Sequence, residues 1–356
     1  MNTAITSANG LSLYPWQTAA WQQLQNLRQR MPHAILLHGP NGIGKTRLAE
    51  YLAKSLLCEQ SLAEGHACGT CASCTWFEQM SHPDFRRVRP EALEEGDLGE
   101  AEGAGEAAAE GAEGKKASKT APSKEIKIDQ IRALSDFMNI STHRQGLRVV
   151  VLYPAHALNM ASSNALLKTL EEPPPNTVFL LVTDSINRLL PTILSRCRKF
   201  GLSLPESQAA LTWLQQQSVS DAASWLAEQG GAPLAARDAA QQGQREELDW
   251  FLQQLMQPGI ESTLKAAEKL QKMPVSQLLL CLQRWLYDLF SYKLTGTIRY
   301  YPRHVKALAA LASRLELNRL LKTLKLMNQR RLIVDHPLAP KLFIEDMLLD
   351  YSALYV

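Results

Sequence analysis

The sequence has no long apolar run. Its strongest, Val149 to Leu152, is strand-sized, where a membrane-spanning helix needs about 18 or more residues. A helical membrane protein is therefore excluded, and no membrane is expected among the partners. The opening residues, MNTAITSANG, show no basic region followed by an apolar stretch. A secretory signal is not expected, and the expected compartment is the cytoplasm. Cysteine is scarce, six in 356 residues, which excludes a small disulfide scaffold. With 46% hydrophobic and 21% charged residues, the chain is also not one that is disordered throughout. Its length allows two or three domains.

One stretch lacks both bases and bulk. Residues 91–114 carry nine acids (Glu91, Glu94, Glu95, Asp97, Glu100, Glu102, Glu106, Glu110, Glu113) and no Lys or Arg. Residues 91 to about 124 have almost no large apolar side chains and cannot bury enough surface to offset ordering. They are expected to form a disordered insertion in a surface loop. The whole chain has 38 Lys plus Arg against 35 Asp plus Glu; without these nine acids the balance is 38 against 26, or +12. A basic folded part suits an anionic partner such as nucleic acid.

What is present reads first as α/β and then as all-α. Ala34 to Leu37 is a short strand, and a helix is expected from about Lys45 to Leu57. Ile128 to Met138 has helical spacing. Arg148 to Leu152 and Val178 to Thr183 have the pattern of strands covered on both faces. A helix from about Ser162 to Glu172 ends at Pro173-Pro174-Pro175. Alternation of this kind implies a parallel sheet with helices on both sides. After about Ser207 the strand signal disappears. Helical patterns fill 208–228, 245–257, 261–272, 276–292, 305–334 and 340–353, with Trp213, Trp225, Trp250 and Trp285 expected in cores.

Residues 39–46 read GPNGIGKT, the phosphate-loop pattern, between a strand and a helix. Gly39, Gly42 and Gly44 let the backbone turn its N–H groups inward around an anion, and Asn41 lies in the same turn. Lys45 would meet the terminal phosphates and Thr46 would offer its hydroxyl to Mg²⁺. Hydrolysis needs more, an acid at the end of a second strand. Here Val149-Val150-Val151-Leu152 runs into Tyr153-Pro154, which neither bind Mg²⁺ nor activate water. His156 reads as structural, and Asp184 follows a different strand. The site is expected to take ATP or ADP with Mg²⁺ but to hydrolyse it poorly or not at all.

Cys58, Cys68, Cys71 and Cys74 follow C-x9-C-x2-C-x2-C. In a cytosolic chain this spacing favours metal over disulfides. Four thiolates satisfy Zn²⁺ in a closed structural site. His66 is left out of the set, and Cys197 and Cys281 read as ordinary thiols.

Asn159 to Pro174, NMASSNALLKTLEEPP, and Arg188 to Cys197, RLLPTILSRC, complete a pattern with the loop and the cysteines. HPDF (82–85), IKIDQIR (126–132) and DHPLAPKLFIEDMLLDY (335–351) extend it. Together they resemble the gamma/tau/delta-prime family of bacterial DNA polymerase III clamp-loader subunits, of the AAA+ class, over nearly the whole chain apart from the acidic insertion. The resemblance implies an α/β AAA+ phosphate-loop domain, residues 1–203, bearing the zinc module (58–74). A small helical lid (204–243) and an all-α collar for oligomerisation (244–356) would follow. It implies gamma/tau and delta subunits as partners, and the sliding clamp and primed DNA through the assembled complex, in a nucleoid-associated replisome.

Two departures separate the chain from the hydrolysing members of that family. The acid pair is absent at Tyr153-Pro154, and Gly231-Ala232-Pro233 is followed by Leu234 where a sensing arginine would stand. By resemblance, Arg196 of Ser195-Arg196-Cys197 is an arginine finger acting in trans on a neighbour's ATP. The expectation is thus a stator without intrinsic ATPase, inside a holoenzyme that is a DNA-directed DNA polymerase. The alternative is an active gamma-type ATPase whose metal is held by an unexpected acid such as Asp184. A stand-alone zinc-stapled DNA-binding protein leaves Ser195-Arg196-Cys197 unexplained.

Overall fold

The computed structural model describes residues 11–94, 122–139, 142, 146–243, 245–331, 333–334 and 339–355. Most of the acidic stretch, 95–121, lies outside the described residues, as do 335–338 of the C-terminal motif. The chain divides into two compact units, Met1–Leu204 and Pro205–Val356.

The first unit is built on five strands, β1 (Ala34–His38), β2 (Phe85–Val88), β3 (Arg148–Leu152), β4 (Thr177–Thr183) and β5 (Arg198–Gly201). All pairings are parallel, in the order β2-β3-β4-β1-β5. Among the described residues its helices include α1 (Thr18–Leu27), α2 (Lys45–Leu57), α3 (Ala72–Glu78), α4 (Ile128–Asn139), α5 (Met160–Glu171) and α6 (Pro191–Arg196). Side chains alternate across each strand, so the apolar runs feed two cores. Ile35, Leu37, Val149, Val151 and Leu180 pack with Trp21 and Leu24 of α1 and Leu48 and Leu52 of α2. Leu36, Val150, Leu152, Phe179 and Leu181 pack with Ile131 and Leu134 of α4, Leu166 and Leu170 of α5, and Ile193 of α6. This double burial is why β3 and β4 carry no polar alternation.

Parallel strands put every C-terminal end on one rim. β1 lies between β4 and β5, and the loop after it turns into α2 with Gly44 in the left-handed region, φ +84°. Asn159 caps α5 by accepting the Ser162 N–H at 2.9 Å. The flanks of the acidic stretch meet: Glu91 pairs with Lys127 at 2.7 Å and accepts the Ser123 N–H at 3.2 Å.

The second unit is helical among its described residues. α7 (Ser207–Gln216), α8 (Ala222–Glu228) and α9 (Pro233–Gln241) come first. The continuous pattern expected over 208–228 is interrupted, because Ser218 and Asp221 adopt left-handed backbone angles, φ +58° and +55°. Six more helices follow among the described residues: α10 (Arg245–Met256), α11 (Ile260–Leu270), α12 (Val275–Thr295), α13 (Val305–Ser313), α14 (Leu317–Arg330) and α15 (Pro340–Ser352). Trp285 is fully buried at their centre and donates to the Tyr351 hydroxyl at 3.0 Å. That hydroxyl in turn donates to the Leu255 carbonyl at 2.6 Å. Asp288, also fully buried, accepts the backbone N–H groups of Arg299, Tyr300 and Tyr301 and so closes the turn after α12. No helix among the described residues is long and apolar enough to cross a membrane.

Candidate functional site

The phosphate loop leaves β1 at Gly39 and enters α2 at Lys45. Its glycines are required by space as well as by angle. A Cβ on Gly39 would lie 2.2 Å from the Leu202 carbonyl oxygen, and one on Gly44 would lie 2.6 Å from the Tyr14 ring. The segment before α1 braces the loop. Trp16 Nε1 donates to the Ile43 carbonyl at 3.0 Å, and the Gln17 amide donates to the carbonyls of Ile43 and Gly44 at 3.3 and 2.8 Å. Tyr14 stacks on Trp16, and the Arg47 guanidinium covers the Tyr14 ring. Sequence reasoning missed this brace, because nothing local links residue 17 to residue 44.

Lys45 is buried, and its Nζ lies 2.6 Å from Asp184 Oδ1 at the end of β4 and 2.5 Å from the Pro40 carbonyl. Asp184, weighed above only as a substitute metal acid, is thus the ion-pair partner of the loop lysine. The end of β3 is different in kind. Tyr153 is half-buried against the α1/α2 core, and its hydroxyl accepts from Arg89 at 3.4 Å. Burial and the Glu50 carboxylate raise its phenol above the usual value. His156 Nδ1 meets the Thr183 hydroxyl at 3.1 Å, and burial with the Arg188 charge lowers its pKa. No carboxylate follows β3 at positions 153 and 154.

The four cysteines converge. Their sulfurs all lie within 4.8 Å of one another, with Cys58–Cys68 at 3.6 Å and Cys58–Cys71 and Cys68–Cys74 at 3.9 Å. Zn–S bonds near 2.3 Å set tetrahedral sulfurs about 3.8 Å apart, so the set fits zinc as it stands. Backbone N–H groups reach the sulfurs: Cys68 to Cys58 at 3.3 Å, Cys71 to Cys68 at 3.3 Å and Cys74 to Cys71 at 3.4 Å. Burial works against the Cys68 thiolate, but amides of Thr70 and Cys71 outweigh it and bring the thiol down to about 6. His66 is engaged elsewhere, stacked on Trp21 and bonded through Nδ1 to the Tyr51 hydroxyl at 2.8 Å. Cys197 and Cys281 are isolated from the cluster, and burial raises their thiols to about 11 and about 12.

Arg196 ends α6. Its side chain is one-third exposed and pairs with Glu171 at 2.5 Å, while Nη1 donates to the Thr192 carbonyl at 3.0 Å. Ile193, fully buried, anchors the same helix.

A parallel sheet of this order, with a phosphate loop leaving β1 between β4 and β5 and a helical region after it, defines the chain as an α/β phosphate-loop protein of the AAA+ class. Residues 16–206 match the family model described as "DNA polymerase III, delta subunit". The chain is 36% identical over 294 residues to the DNA polymerase III subunit delta' of Pseudomonas aeruginosa, covering 80% of this chain and 79% of that one. It is 33% identical over 229 residues to the Escherichia coli subunit of the same name, covering 63% and 59%. The tau subunit of Bacillus subtilis is 29% identical over 227 residues, 63% of this chain and 34% of that one. Among solved structures, a gamma-subunit-related protein of Thermotoga maritima aligns with a TM-score of 0.41 at 17% identity, over 94% of this chain and 99% of that one. The chain belongs to the delta-prime family of DNA polymerase III clamp-loader subunits.

Proposed function

We propose that this chain is a delta-prime-type stator: it hydrolyses ATP poorly or not at all and completes the ATPase site of a neighbouring gamma/tau subunit. The observation that carries the reading is the end of β3, where Tyr153, half-buried, packs against the core and no carboxylate stands at positions 153 and 154 to hold Mg²⁺. A loop ATPase without that acid lacks both the metal ligand and the means to orient water. The loop still suits ATP or ADP, through the inward turn at Gly42, Gly44 and Lys45 and the N-terminus of α2.

Arg196 supplies what the chain gives its neighbour. A guanidinium brought to a γ-phosphate stabilises transition-state charge and is worth about 10³–10⁵ in rate. It stands partly exposed at the end of a short, firmly anchored helix. The zinc module would hold Zn²⁺ as a structural staple through Cys58, Cys68, Cys71 and Cys74. Residues 204–243 would act as lid and 244–356 as collar, with gamma/tau and delta beside it. The sliding clamp and primed DNA would be engaged through the complex, and DNA contacts would go to phosphates rather than base edges. Such a machine works in the cytoplasm, at the replisome on the nucleoid.

The rival reading is an active gamma-type ATPase, favoured by one observation: Asp184 places a carboxylate 2.6 Å from Lys45. Mg²⁺-dependent ATP hydrolysis by the purified chain, at a concentration where nucleotide binding is confirmed independently, separates the two. The stator reading expects bound nucleotide without turnover. Turnover abolished by Lys45→Ala would establish the rival.

A further inference from the structure

Arg196 does not stand alone at the surface. α5 and α6 share a core in which Leu166 and Leu170 of α5 lie with Ile193 of α6 and the following Cys197. That packing fixes the backbone on both sides, so Glu171, one residue beyond Leu170, arrives beside Arg196, three beyond Ile193. The carboxylate Oε1 meets Nη2 at 2.5 Å. On the other side of the guanidinium, Nη1 donates to the Thr192 carbonyl at 3.0 Å and to Ser195 Oγ at 3.3 Å. An arginine carries five N–H donors in a rigid fork. Nη1 is used by these hydrogen bonds and Nη2 by the ion pair. Among the described residues, Nε has no partner, which leaves the guanidinium a donor for a phosphate oxygen.

The placement of Glu171 is otherwise unfavourable. It is the last residue of α5, where the helix dipole disfavours a carboxylate. An exposed ion pair of this kind returns at most about a fivefold factor in an equilibrium constant, which roughly offsets that cost. Its contribution to stability is therefore near nil, which leaves its contact with the guanidinium as the feature to be explained.

We infer that Glu171 is a positioning residue for Arg196: by holding Nη2 it fixes the plane of the guanidinium so that its unengaged Nε side faces the neighbouring subunit's nucleotide. This rests on the reading of Arg196 as a finger in trans, so the test must be able to fail in two distinguishable ways. The assay is ATP turnover by a clamp loader reconstituted from the full-length chain and its partner subunits. The share due to this chain is the turnover lost when Arg196→Ala replaces the native subunit. Glu171→Gln is expected to lower that share about three- to fivefold through kcat, with KM for ATP, subunit assembly and the Tm of the isolated chain unchanged. Glu171→Asp should restore part of it, and Glu171→Gln/Arg196→Ala should match Arg196→Ala alone. Glu172→Gln, which removes the adjacent charge, should leave it intact. No loss with Arg196→Ala would overturn the finger reading itself. A loss with Arg196→Ala but an unchanged or raised share with Glu171→Gln would overturn only the positioning role. A fall in Tm that accounts for the lost activity would make Glu171 merely structural.

Discussion

At the scale of single residues, the phosphate loop is a contest for one ammonium group. Lys45 is buried, and Asp184 already neutralises it at 2.6 Å. A phosphate entering the loop must share or displace that carboxylate, and the two anions repel. Asp184→Asn removes the competitor and leaves a buried lysine in search of an anion, a state that is costly until one binds. The expected result is tighter ADP and ATP binding, by about tenfold or 1.4 kcal/mol, measured by calorimetric titration with and without Mg²⁺. Binding that weakens, and weakens only when Mg²⁺ is present, would instead make Asp184 a metal ligand. None of this was legible in the sequence. Residues 45 and 184 are joined only by the pairing of β1 with β4, and Gln17 reaches Gly44 across 27 positions.

At the scale of elements, the sequence was far more informative, for reasons that differ from segment to segment. α2 begins at Lys45 and ends at Leu57 as expected, because a glycine turn starts it and apolar residues at helical spacing sustain it to the first cysteine. β3 and β4 were legible because fully covered strands show as unbroken apolar runs. The pattern over 208–228 misled, since left-handed residues at Ser218 and Asp221 carry no glycine to announce them. The cysteine spacing was legible because a closed tetrahedral site needs short loops between ligands. That module also makes a prediction. Ser73 Oγ donates to the Leu57 carbonyl at 2.6 Å, and Lys54 pairs with Glu78 at 2.6 Å, so α2 and α3 are fastened together around the four sulfurs. Stripping metal with a chelator, or Cys71→Ser, is expected to lower Tm by several degrees. One zinc per chain should be released, quantified by a colorimetric chelator. A native chain without zinc would refute the assignment.

At the scale of the whole molecule, titration behaviour follows from burial. His38, His66, His156 and His304 are all lowered from 6.5, in each case chiefly by burial. Below 6.5 the unfolded chain binds protons at these sites that the folded chain does not, so stability rises with pH through that window. It is lost as pH falls from 6.5 through the folded values. Glu228, Asp288 and Asp350 are raised by burial and act in the opposite sense, but in a window just above 4.5 or 3.8. Acidification from pH 7 to about 5.5 should therefore lower Tm before the carboxylates begin to compensate. A Tm that rises over that interval would contradict the histidine contribution.

The rim of the sheet has one more consequence. Gly39, Tyr153 and Asp184 all follow strands whose bodies are buried among apolar neighbours. The chemical groups offered on that rim are therefore set by the residues just past the strands, while the sheet beneath is held by the apolar runs inside them, so the two properties are written in different parts of the sequence.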